Sequence, residues 1–203
     1  YELRGRVGVS FPKIETGPAG GDVNGVVVTV TIDEGESFSF GRIEVRGAAS
    51  SDQELFNVAQ LKSGETANMT EVINALERIR AALRTKGYMK AQARADRTVN
   101  KEAKTIDILI TVDSGPQYTF GRLFVQGLDL HGEHEIRRIW GLPPGDPFDG
   151  SYPDFFLQQI REQGVFDKLV KTEAKIEPRD ETATVDVTLV FNPKPRKPRF
   201  GAP

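Results

Sequence analysis

The chain has 203 residues, 38% of them hydrophobic and 28% charged, with a net charge of −2 and no cysteine. This balance suits folded material and offers no strongly basic surface for nucleic acid. Without cysteine there is no disulfide framework, thiolate zinc site or thiol nucleophile, and no apolar run approaches the ~20 residues of a membrane helix.

In chain order, Leu3, Val7, Val9 and Phe11 alternate as a strand, and PKIETGPAGGDVNG reads as a long turn. VVVTVTI (26–32) follows as a strand with Val26, Val28, Val30 and Ile32 on one face. After FGRIEVRG (40–47), Ser51 and Glu54 form a capping box that opens a short helix. Asn68 and Glu71 cap a second helix over about 69–86, with Val72, Leu76, Ile79 and Leu83 on one stripe. Gly87 then stands where a left-handed cap is expected. Met89, Ala91, Ala93 and Ala95 alternate with Lys90, Gln92, Arg94 and Asp96, a strand with one charged face, and IDILITV (106–112) returns as an apolar strand.

The same series then runs again. A strand at 119–126 leads to a helix near 133–140, the loop GLPPGDPF, and a helix from about Tyr152 with Pro153 in its first turn. After Gly164 a strand over about 169–176 sets Val170, Thr172, Ala174 and Ile176 against Lys171, Glu173 and Lys175, and VDVTLVF (185–191) closes the unit. DEGESFSFGRIEVRG (33–47) and DSGPQYTFGRLFVQG (113–127) are identical at seven of fifteen positions, where composition alone gives about one. The apolar strands recur at spacings of 80 and 79 residues, so the chain is a tandem array of β-α-α-β-β units. The expected layout is a C-terminal hairpin of a truncated unit over 1–34, units over 37–114 and 117–192, and a basic Pro-rich linker over 193–203 that leads to a further unit or a barrel. The first strand and both helices of the truncated unit are expected upstream of Tyr1.

A β-α-α-β-β unit of about 75–80 residues in tandem resembles the POTRA domain. The resemblance rests on TFGRLFVQG, on LKSGE and LPPGD between the helices, and on RTKGYMKAQ and REQGVFDKL where the second helix gives way to the second strand. Within that family the arrangement is most similar to the BamA/TamA type of outer-membrane assembly factor, the surface antigen family. The resemblance implies an α+β fold, each module a three-stranded mixed sheet backed by two helices. It implies a place on the periplasmic side of the outer membrane, ahead of the full-length protein's own outer-membrane barrel. The implied partners are unfolded outer-membrane or secreted polypeptides, accessory lipoproteins, or a periplasmic or inner-membrane partner, with no nucleic acid and no small-molecule substrate. The implied mechanism is β-augmentation, in which an extended peptide pairs with an open sheet edge. The edge is the second strand, which carries Lys90, Gln92, Arg94 and Asp96 in one unit and Lys171, Glu173 and Lys175 in the next. The alternative is a structural spacer or partner-docking arm, as in a two-partner secretion transporter.

Other signals have plainer readings. The charged strand faces also serve to block aggregation. His131 and His134 in HGEHE lack further ligands and fit a solvated helix start. In NPKPRKPRF, Lys194, Arg196, Lys197 and Arg199 sit among prolines that hold an extended backbone, which suits a membrane-proximal connector or a solvated linker. The glycines match neither phosphate-loop spacing, and no nucleophile or acid–base pair has a recognisable partner. A non-enzymatic binding protein without cofactor or metal is therefore expected.

Overall fold

The structure, a computed structural model, describes residues 6–7, 9–18, 25–47, 50–164 and 171–192. Four strands come first: β1 (Arg6–Val7), β2 (Ser10–Pro18), β3 (Val26–Asp33) and β4 (Glu36–Ser37). The first complete series is β5 (Ser39–Gly47), α1 (Asp52–Ala59), α2 (Met69–Thr85), β6 (Gln92–Asn100) and β7 (Thr105–Asp113). The second is β8 (Thr119–Gln126), α3 (Leu130–Ile139), α4 (Tyr152–Glu162), β9 (Thr172–Arg179) and β10 (Thr184–Phe191). The fold is α+β. Each series makes a three-stranded mixed sheet, in the orders β5-β7-β6 and β8-β10-β9. The last strand lies in the middle, parallel to the first and antiparallel to the second.

The middle strands are central because they are the most apolar. Ile106, Ile108, Ile110 and Val112 are buried on β7, and Val185, Val187, Leu189 and Phe191 on β10. In the first series Val72, Ala75 and Ile79 of α2 and Leu55 of α1 cover the sheet. In the second, Ile136 of α3 and Phe156, Leu157 and Ile160 of α4 do so. The expected caps are present: Ser51 accepts the Glu54 N–H, Asn68 accepts the Thr70 N–H, and Gly87 has φ +91°.

The FGR repeat has a physical cause. In both modules the first strand carries one extra residue against the middle strand, between Phe40 and Ile43 and between Phe120 and Leu123. In that bulge the carboxylate of Asp107 accepts the Arg42 N–H at 2.7 Å, and that of Asp186 accepts the Arg122 N–H at 3.0 Å. A side chain at Gly41 or Gly121 would collide with these carboxylates, at 2.1 and 2.7 Å from Oδ1. Phe40 and Phe120 are core residues, both 3% exposed. Each is pinned by the loop between the helices: Phe40 bonds to Glu65 O and Gly64 N, and Phe120 to Asp146 O and Gly145 N. The LKSGE and LPPGD loops are thus part of the same device.

Four expectations need correction. The segment after Phe11 is not all turn: β2 runs from Ser10 to Pro18, while Leu3 lies outside the described residues. Lys13–Pro18 pairs with Val26–Thr31 in a hairpin, and the register shift between Ser10 and Lys13 accommodates Pro12. The first helix of the second module starts at Leu130, because Asp129 caps it by accepting the Gly132 N–H at 2.8 Å. The second strands also differ: β6 starts at Gln92, and β9 at Thr172 with Lys171 outside it, while 165–170 lie outside the described residues. Tyr88–Ala91 first makes another turn, with Met89 N bonded to Gly87 O and Ala91 N to Tyr88 O.

The chain divides into two compact units, Tyr1–Arg80 with Gln92–Asp113, and Ala81–Ala91 with Ser114–Pro203. The end of α2 and the turn after it fall in the second unit, and Met89 packs against its core. Within the second unit Tyr118 N bonds to Gly87 O at 2.8 Å and Gly150 N to Arg84 O at 3.1 Å. The β2–β3 hairpin contrasts with both sheets. Val26, Val28, Val30 and Ile32 match the buried faces of β7 and β10 in pattern, yet all are exposed.

Candidate polypeptide-binding edges

Among the described strands β6 pairs only with β7, so its other side is a sheet edge; one of its carbonyls, Ala93 O, accepts from Arg80 Nη2 at 2.7 Å. It runs nine residues without proline. Gln92, Arg94 and Asp96 lie on one face of it, all exposed, opposite the face where Ala93 is buried and Ala95 half-buried. On the Ala95 side lies a groove of about 310 Å³, walled by Met69, Val72, Ile73 and Leu76 of α2 and by Ala95 and Arg97 of β6. Ile73 is 52% exposed. An edge strand beside an apolar groove offers two kinds of contact at once, main-chain hydrogen bonds and a place for alternate side chains. The sequence pattern does not reveal the groove, although Ile73, an apolar residue beside the Val72–Leu76–Ile79 stripe, is its visible sign.

Lys90 does not join this strand. It lies in the turn before it, and its ammonium sits 2.5 Å from Asp180 Oδ2. The buried Tyr118 donates its hydroxyl to Asp180 Oδ1 at 2.7 Å. The hydrogen bond that Lys90 donates holds the Asp180 carboxyl below the usual carboxylate range, and the same bond to the carboxylate raises Lys90. Lys90 is thus a structural residue of the second unit.

β9 is the corresponding edge of the second sheet, pairing only with β10 among the described strands. Glu173 and Lys175 lie on it, whereas Lys171 precedes it and is paired through its backbone with Asn192. Pro178 interrupts the edge, because it has no N–H to offer. Lys194, Arg196, Lys197 and Arg199 lie outside the described residues. Among the described residues no group of three or more His, Asp or Glu side chains is placed to hold a metal ion; His131 and His134 are exposed on α3.

On the middle strand of the second sheet, Asp186 carries more than the β8 bulge. It is 2% exposed and accepts bonds from Arg122 Nη2 at 2.8 Å and Arg179 Nε at 2.7 Å. The Arg122 bond, with help from Arg179, holds its carboxyl below the ordinary range against the opposing effect of burial.

A first strand, two helices and a hairpin whose last strand takes the centre of a three-stranded mixed sheet define the POTRA architecture. Residues 38–115 match the POTRA family, described as "Surface antigen variable number repeat". That match covers the first complete series, β5 to β7. In sequence it is similar to the outer membrane protein assembly factor BamA of Neisseria meningitidis serogroup B, with 20% identity over 144 residues, which is 70% of this chain and 18% of that protein. In fold it is similar to POTRA3-5 of Haemophilus influenzae BamA, with a TM-score of 0.65 at 19% identity over 93% of this chain and 74% of that one. It is also similar to Haemophilus ducreyi BamA lacking POTRA domains 1-3, with a TM-score of 0.63 at 19% identity over 77% of this chain and 30% of that one.

Proposed function

We propose that this chain is a periplasmic polypeptide-binding arm of an outer-membrane protein assembly or translocation factor, and that it holds extended client segments by strand addition to β6. The observation that carries this reading is a sheet edge without proline, unpaired with any other described strand, beside an apolar groove. Main-chain bonds ask little of client sequence, which suits varied clients. Gln92, Arg94 and Asp96 flank the added strand on the far face. β9 is a lesser edge through Glu173 and Lys175, uninterrupted only as far as Glu177. The β2–β3 hairpin belongs to a further module of the same kind, since its valine face repeats the core face of β7 and β10.

Hydrogen–deuterium exchange with a peptide from an outer-membrane β-strand tests the proposal. Saturable protection of 92–100 is expected. Protection confined to the helices counts against edge pairing. No saturable binding, with a partner protein still captured, favours a spacer that docks partners without touching clients.

A further inference from the structure

The two modules share one fold, so places where one exposes apolar side chains and the other does not are not explained by folding. Such a place lies at the β8 edge. Phe124 occupies the position of Glu44 in the first module, and Pro143 and Pro144 occupy those of Lys62 and Ser63 in the loop between the helices. Phe124 is 39% exposed and both prolines are exposed. With the half-buried Trp140 and Leu142 they line a groove of about 530 Å³. The corresponding edge of the first module has a smaller hollow of about 230 Å³, lined by Glu44, Val45, Arg46, Asp52, Gln53 and Phe56.

The charge of the groove points to its occupant. Two arginines, Arg122 and Arg179, share the single carboxylate of Asp186, which leaves one positive charge in excess. Arg122 lines the groove, with its guanidinium 5.3 Å from the centre of the Phe124 ring. No acidic residue lines it. The chain's own tail carries Lys194, Arg196, Lys197 and Arg199, the wrong sign to fill it. Strand addition is also disfavoured here, because Arg137 Nη1 donates to Leu123 O at 2.7 Å and the loop pins Phe120. Trp, Phe and Arg together make the composition of interaction hot spots, and the volume falls in the usual range for a ligand site.

We infer that this groove of the second module is a separate docking site for a polypeptide segment that presents an apolar anchor beside a carboxylate. It engages side chains, not a strand edge, and does not depend on client binding at β6.

Trp140 is the chain's single tryptophan, so its fluorescence reads the site in the full 203-residue chain. The probe is the blocked peptide Ser-Glu-Phe-Asp-Leu-Ser, the control is Ser-Lys-Phe-Lys-Leu-Ser, and a third arm uses phosphatidylglycerol vesicles. The expected result is a saturating change with the acidic peptide, at least ~tenfold weaker with the basic one, and weakened by salt. Phe124→Glu, which installs the first-module residue, and Pro143→Ser, which removes an apolar wall without adding charge, should each weaken binding by roughly tenfold. If Phe124→Glu alters the emission of the free chain, Pro143→Ser decides. Absence of saturation, equal binding of both peptides, binding unchanged in the variants, or a response to vesicles alone would overturn the inference. Exchange at 92–100 reads β6 independently, so either site can fail without the other.

Discussion

Gly121 lies directly against the Asp186 carboxylate: a methyl group there would stand 2.7 Å from Asp186 Oδ1, the oxygen that accepts the Arg122 N–H. Gly41 and Asp107 repeat the relationship in the first module, at 2.1 Å. Gly121→Ala should therefore destabilise the second unit by about 1–3 kcal/mol, read from the urea midpoint of Trp140 emission. Gly41→Ala should cost the first unit at least as much, read by circular dichroism. An unchanged midpoint for both would show that the carboxylates move aside freely.

Asp186 also sets a pH dependence. The Arg122 bond, against the opposing effect of burial and with help from Arg179, lowers its carboxyl in the folded state. A lowered carboxyl contributes stability that is fully present above the unfolded value of ~3.9 and is lost as pH falls through the folded value. Asp186→Asn should cost about 1–3 kcal/mol at pH 7, with the gap to the wild type narrowing below about pH 4. A gap that stays constant on acidification would remove Asp186 from the account.

The Lys90–Asp180–Tyr118 cluster should stabilise the packing of 81–91 with the second sheet. Asp180→Asn and Tyr118→Phe are each expected to increase hydrogen exchange at Gly87 and Tyr118. Their effects should be less than additive, because both remove bonds to the same carboxylate. Fully additive effects would mean that the two bonds act independently.

The groove beside β6 predicts a binding effect without a folding effect. Ile73 is half out of the core, so Ile73→Glu should leave stability within about 0.5 kcal/mol of wild type. Affinity for an outer-membrane strand peptide, measured by anisotropy, should fall roughly tenfold. Unchanged affinity would separate the groove from the edge.

Pro178 predicts the converse at β9. Pro178→Thr restores a main-chain donor on that edge, so client peptide should then extend exchange protection beyond Glu177. If protection on β9 is the same in both proteins, the proline is not what limits it.

Much of this architecture was legible in the chain. The apolar alternation of 106–112 and 185–191, the caps at Ser51 and Asn68, and Gly87 after the second helix are local features, and each has its expected local conformation. The segment Lys13–Pro18 misled because local preference was overruled by a valine-rich partner strand. Lys90 misled for a related reason. Alternation placed it on a strand, but a second turn after Gly87 and the carboxylate of Asp180, 90 residues away, took it elsewhere.

The sequence by itself determined the repeat, the order of strands and helices and the apolar faces, because these follow from backbone periodicity and from contacts between near neighbours. The tertiary structure decided what the repeated FGR is for, which strand edge is free of proline beside a groove, and where Phe124, Trp140 and Arg122 meet. Those answers depend on residues far apart in the chain, as with Arg122 and Asp186, 64 residues apart. Strand order and helix packing bring such residues together, and no local pattern in the chain records the meeting.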